Sequence, residues 1–173
     1  YGFHATIRPP MRLADGVDAG DLDRALVDLA ARTGPATAPR LAADGALGFV
    51  ALRPSGPSPE LDAAALGVVE ALEPLRAPPD DAELARRRAT GLTPVQEAML
   101  ARYGYPYLGD AFRFHVTLTG PVDPATAAEV AEAAMPLIEP HLDDPFTLGE
   151  LCLFGDPGEG APFRLLRRYP LTG

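Results

Sequence analysis

Cationic residues are scarce in this chain: fifteen Lys and Arg stand against 24 Asp and Glu, a formal net charge of −9. Broad binding to nucleic acid needs a basic surface that releases counterions, so nucleic acid is disfavoured as a partner. A local basic pocket for one phosphate remains compatible with an acidic whole. Cysteine is nearly absent. The single Cys152 excludes an internal disulfide and a cysteine-based zinc site. Its setting, Leu151-Cys152-Leu153-Phe154, predicts a buried, inert thiol rather than a nucleophile. No stretch approaches the roughly 18 consecutive apolar residues of a membrane helix. No signal peptide is visible either, so a cytoplasmic location and no membrane partner are expected.

Histidine is also rare, with three in 173 residues, and two of the three sit in matched phrases. The first reads Phe3-His4-Ala5-Thr6-Ile7-Arg8-Pro9-Pro10, the second Phe114-His115-Val116-Thr117-Leu118-Thr119-Gly120-Pro121. Side chains alternate across a strand with period two. His4, Thr6 and Arg8 would share one face, as would Arg113, His115, Thr117 and Thr119. Phe3, Ala5 and Ile7, with Phe114, Val116 and Leu118, would then point into a core.

The chain is long enough for one domain with a sizeable core. After the first phrase, Asp18 or Asp21 caps a helix to about Arg32, and Pro39 to Ala42 with Leu47 to Arg53 read as a hairpin around Ala43-Asp44-Gly45. After the second, Asp123-Pro124 opens a helix to about Ile138. Phe146 to Phe154 and Pro162 to Tyr169 then read as a hairpin around a turn at Gly155 to Gly160. Strand, helix, hairpin occurs twice, which predicts a pseudo-twofold duplication with half-repeats at about 1–57 and 111–173. Helices starting near Ser58, Asp80 and Thr93 form an insert at about 58–110 within a single unit.

Two imidazoles beside two hydroxyls suit chemistry at a phosphate. One neutral imidazole takes a proton from attacking water, the other as imidazolium protonates a departing alkoxide, and a reference pKa of about 6.5 allows both states near neutrality. The Thr6 and Thr117 hydroxyls would donate to nonbridging oxygens, where charge builds. Arg8 would add fixed charge, and Thr119 and Arg113 would be further substrate contacts. The scheme requires no metal and no cofactor.

The paired His-x-Thr units resemble the 2H phosphoesterase superfamily. The surrounding phrases Tyr1-Gly2-Phe3-His4, Leu92-Thr93-Pro94-Val95-Gln96-Glu97 and Tyr103-Gly104-Tyr105-Pro106-Tyr107 resemble its DUF1045-like branch, associated with phosphonate-utilisation operons and of unassigned function. The resemblance implies an α+β, bilobal 2H (LigT-like) fold, with two antiparallel sheets around a central cleft and helices outside. It also implies a metal-independent hydrolase that opens a cyclic phosphodiester on a small sugar phosphate or nucleotide, with His4 and His115 catalytic. The alternatives are end-processing of RNA 2′,3′-cyclic phosphates and a non-catalytic domain that binds a phosphorylated metabolite. Relatives of this branch carry a further strand before the first phrase, so an upstream segment is expected. Arg8 stands where the branch leads one to expect lysine, which keeps the charge but changes hydrogen-bond geometry.

Other candidates have bland readings. His141 sits near a helix end, and Arg86-Arg87-Arg88 reads as a solvated helix face. Tyr103, Tyr105 and Tyr107 read as loop and core packing, with stacking at the rim of the cleft as the alternative.

Overall fold

The computed structural model describes residues 2–158 and 160–173. Tyr1, which heads the first phrase, and Glu159, in the Gly155–Gly160 turn, lie outside the described residues. The chain is α+β. It runs α1 (Ala19–Arg32), β1 (Ala36–Ala38), β2 (Leu41–Asp44), β3 (Phe49–Pro54), α2 (Pro59–Leu72), α3 (Asp81–Arg88) and α4 (Pro94–Tyr103), then β4 (Val116–Pro121), α5 (Pro124–Ile138), β5 (Phe146–Leu148), β6 (Glu150–Gly155) and β7 (Arg164–Pro170).

Helix starts follow side-chain capping of orphan N–H groups. Asp18 accepts from the Asp21 N–H at 2.9 Å while the Asp21 carboxylate accepts from the Asp18 N–H, a reciprocal box at the start of α1. Thr93 and Gln96 repeat that box at α4. Asp123 accepts from Ala125 and Thr126 at α5, with Pro124 in the first turn where its missing N–H costs nothing.

Helix α2 is the spine of the core. Its residues Leu61 and Ala65 join Leu52, Phe114 and Val116 in one cluster, and Val68 and Leu72 join Leu26, Leu29 and Tyr169 in a second. Val69 packs on Tyr103 and Leu108 in a third. Leu52, Leu61 and Leu100 are fully buried, and each contributes about 1.5–3 kcal/mol relative to exposure. The segment expected as an insert therefore supplies the middle of the interior.

Three small antiparallel sheets occur among the described residues, not the two expected. One has the order β2-β3-β4; β1 pairs with β5, and β6 with β7. The run 146–154 breaks at Gly149, because its two parts pair with different partners. The first phrase is not a full strand: Ala5 alone bridges to Val116, on the side of β4 away from β3. Ala5 and Ile7 still pack against the core, as the alternation predicts. Phe3 does not; it is 74% exposed, since the pairing that would fix its face holds only at Ala5. Cys152 is exposed rather than buried. On the β6-β7 ribbon it faces opposite to Leu151, and its thiol is pushed up by partial desolvation and then by Glu150. No helix among the described residues is long and apolar enough to cross a membrane.

Candidate functional site

Val116 pairs with Leu52 on one side and with Ala5 on the other. In an antiparallel pair, opposed residues point to the same face. Ala5, Val116 and Leu52 turn to the core, so the flanking residues turn away from it. One residue to either side of that single bridge, the same register would set His4 opposite Thr117 and Thr6 opposite His115. In that register the two histidines and two threonines would share one face, as two crossed His–Thr pairs.

Both rings are held the same way. His4 Nδ1 lies 3.0 Å from the Gly2 carbonyl, and His115 Nδ1 lies 2.7 Å from the Arg113 carbonyl. A carbonyl oxygen only accepts, so Nδ1 is the donor in each, and Nε2 is the atom presented outward. His4 Nε2 contacts the Thr6 hydroxyl at 3.2 Å. Each ring also rests on an aromatic, His4 6.0 Å from Phe154 and His115 5.6 Å from Phe49. Both imidazoles are half-buried, and the Thr6 and Thr117 side chains are exposed.

The other candidates lie elsewhere. Arg8 turns away from the imidazoles: its Nη2 pairs with Glu73 at 3.0 Å, Nη1 donates to the Val69 carbonyl at 2.8 Å, and the side chain is 9% exposed. Burial pushes its guanidinium down from the usual value, against the pull of Glu73. Pairing of this segment is described only at Ala5, so residue 8 is free of the alternation. Arg113 folds onto its own loop, donating to the Asp110 and Phe112 carbonyls. Nearby Asp62 is raised by partial burial, with Arg113 pulling the other way. Thr119 is spent on the sheet; its hydroxyl accepts from Val50 N at 3.0 Å and donates to the Gly120 carbonyl, at the irregularity between β3 and β4.

One residue on this face escaped the sequence reading. Extending the Leu52–Val116 register carries Arg53 beside His115, and Arg53 is tied to Asp44 on the same face. Its Nε is buried with no hydrogen-bond partner among the described residues. The alternation of the 47–53 strand was the available signal. Among the described residues no three His, Cys, Asp or Glu side chains converge as a metal set.

A family described as "Protein of unknown function (DUF1045)" matches residues 6–164, and the chain belongs to it. Over 178 residues it is 33% identical to "Ribose 1,5-bisphosphate phosphokinase PhnN" of Janthinobacterium sp. (strain Marseille), covering 100% of this chain and 39% of that protein. Over 168 residues it is 35% identical to the protein of the same name from Laribacter hongkongensis (strain HLHK9), covering 96% of this chain and 38% of the other. The chain thus spans about two fifths of the length of these curated relatives. No solved structure matches it.

These names overturn the expected activity. The relatives are named phosphokinases, which conflicts with a metal-independent hydrolase opening cyclic phosphodiesters. The error has a physical source: paired imidazoles and hydroxyls are compatible with several reactions at a phosphate and name none of them.

Proposed function

We propose that the face bearing His4, Thr6, His115 and Thr117 binds a phosphorylated pentose, and that this chain is the sugar-phosphate-handling part of an enzyme of ribose-phosphate metabolism. The observation that carries the proposal is the Ala5–Val116 bridge between the two phrases, whose register would cross two His–Thr pairs on one face, together with the hold on each ring through Nδ1 by a carbonyl two residues earlier. Two Nε2 atoms and two hydroxyls then converge on the oxygens of a phosphate ester. Arg53 supplies the fixed charge that was sought in Arg8, and guanidinium suits a phosphate through paired N–H donors. Thr119 and Arg113 act as supports, through the sheet irregularity and the loop before β4. The substrate class is taken from the relatives' names, which specify a ribose bisphosphate. A link to phosphonate breakdown follows the family resemblance, as does a bilobal, duplicated 2H-like architecture with half-repeats at about 1–57 and 111–173.

The sequence contains no lysine, so all fifteen cationic side chains are arginine. The lysine-bearing Gly-rich loop that cradles nucleotide phosphates in many kinases is therefore not in these residues. We assign this stretch the sugar phosphate rather than the phosphoryl donor. Calorimetric titration with ribose 1,5-bisphosphate tests the reading. Saturable binding is expected, weakened about ten- to a hundredfold in His4→Ala and in His115→Ala, the range for losing a hydrogen bond to a charged group. Absence of binding, or binding indifferent to both changes, would overturn it.

A further inference from the structure

A cavity of about 360 Å³ opens where the segment leaving the first phrase meets α3 and the end of α4. None of His4, Thr6, His115 and Thr117 lines it. Its volume lies in the range of small-molecule sites, about 300–1,000 Å³. Four arginines line it, Arg8, Arg12, Arg76 and Arg87, in a chain whose net charge is −9.

Three of these cations, Arg8, Arg76 and Arg87, are held by carboxylates. Arg8 and Arg76 share a single carboxylate: Glu73 takes Arg8 Nη2 at 3.0 Å on one oxygen and Arg76 Nη2 at 2.6 Å on the other. One anion thus serves two guanidiniums, and a positive charge is left over in a largely desolvated corner. Arg87 is anchored to Glu83 at 2.8 Å and spread over the Tyr105 ring, 5.1 Å from its centroid. Arg12 meets its nearest carboxylate, Asp80, only at 3.7 Å, with both side chains more than 60% exposed. That pair is screened by water and contributes little, and beyond its Nη2 donation to the Pro78 carbonyl at 3.1 Å Arg12 keeps donors for another anion. Glu83 and Asp156 also line the cavity. Glu83 is satisfied by Arg87, and Asp156 accepts from the Gly158 N–H at 2.8 Å.

The floor requires a glycine. Gly104 ends α4 in the left-handed region at φ 69°, and a Cβ there would come within 2.8 Å of Arg76 Nη1. A side chain there would press on Arg76 Nη1, which donates to the Ala77 carbonyl at 2.9 Å. Backbone and guanidinium are fitted to each other around an open space.

We propose that this cavity is a second anion site, distinct from the His–Thr face, which takes a small phosphate monoester with its phosphate on Arg12, Arg76 and Arg87 and its organic part against Tyr105. A dianion matches the charge of these guanidiniums and the Nη hydrogens left over once Arg76 and Arg87 have bound Glu73 and Glu83 through Nε and Nη2, and a ring edge is complementary to the tyrosine flank.

The test is calorimetric titration of the chain with AMP, ribose 5-phosphate, inorganic phosphate and adenosine. At least one of the two phosphate esters should bind tighter than inorganic phosphate, and adenosine should bind more weakly than AMP. The better ester names the source of the monoester. Arg12→Ala, an exposed change that leaves the core untouched, should weaken binding about tenfold, and Arg87→Gln about ten- to a hundredfold. No ester binding above that of inorganic phosphate would overturn the proposal. So would ester binding that falls in His4→Ala and His115→Ala but ignores Arg12 and Arg87, since the ligand would then occupy the other face. Ester binding sensitive to Arg12 and Arg87, in a chain that ignores ribose 1,5-bisphosphate, would sustain this site while overturning the pentose-phosphate reading of the His–Thr face.

Discussion

The crossed His–Thr arrangement rests on the pairing of Ala5 with Val116, and that pairing can be trapped covalently. Replacing Thr6 and His115 together by cysteine, in a Cys152→Ser background, places two thiols at directly opposed positions of an antiparallel pair. Opposed Cα atoms lie about 4.5–5.5 Å apart, inside the window of about 4.4–6.8 Å that a disulfide needs. The bond would close a loop from residue 6 to residue 115, and the chain-entropy relation for a loop of about 110 residues gives about 4.8 kcal/mol as an upper figure. Engineered bridges lose part of this to strain, so a gain of about 2–4 kcal/mol is expected. Urea unfolding with and without reductant measures the gain, and thiol titration with mass spectrometry confirms the bond. Thr6→Cys with Thr117→Cys is the control, because diagonal neighbours sit about 7–8 Å apart. It should cross-link poorly. If the diagonal pair oxidises as readily as the opposed pair, or the opposed pair stays reduced, the register and the site built on it are wrong.

Three further predictions concern the frame that holds this face. Leu52→Ala removes a fully buried side chain behind β4 and should cost about 2–5 kcal/mol in urea unfolding; a loss below about 1 kcal/mol would contradict the packing described. Asp123→Ala removes the acceptor for Ala125 and Thr126 at the start of α5 and should cost about 0.5–2 kcal/mol, measured the same way, while Asp123→Asn should retain most of it. Burial, then its 2.6 Å hydrogen bond to Asp23, pushes the Tyr169 hydroxyl up to about 12. A raised folded value stabilises fully below the free tyrosine value of about 10 and is lost as pH rises through the folded one. Stability should therefore fall between these values in the parent chain and fall less in Tyr169→Phe; equal alkaline profiles would refute the link between α1 and β7.

Four of the five α-helix starts among the described residues were legible because they are written in side chains that satisfy local N–H groups, while Ser58 before α2 makes no such bond. Asp18, Asp80, Thr93 and Asp123 cap the helices that the sequence places after them. The α+β class and the hairpins followed from alternation and turn residues. What was not legible is long-range partnership. Nothing near residue 37 announces that β1 pairs with β5 more than a hundred positions away, nor that Gly149 divides one apolar run between two sheets. Phe3 and Cys152 failed for the same reason: hydrophobic neighbours in sequence do not say whether the face they share has a layer packed on it.

The site shows where alternation holds as a guide and where it stops. It was right from residue 112 to 117, around Val116 with its partners on both sides: Phe112, Phe114 and Val116 are buried, and Arg113, His115 and Thr117 are not. It stopped at Arg8, one residue before two prolines that carry no N–H to continue a ladder. Beyond the single bridge at Ala5, the cationic side chain of the phrase goes to the half-buried carboxylate of Glu73 and leaves the His–Thr face. The charge on that face comes instead from Arg53, whose pairing with Asp44 conceals it in a sequence reading as an ordinary hairpin ion pair. Arg87 was hidden differently, since three consecutive arginines on a short helix look like a solvated face. Helical geometry separates them by about 100° per residue, and only Arg87 of the three lines the cavity, over Tyr105. Charge type is readable from sequence, but which charge reaches a ligand is decided by the partner that holds each side chain.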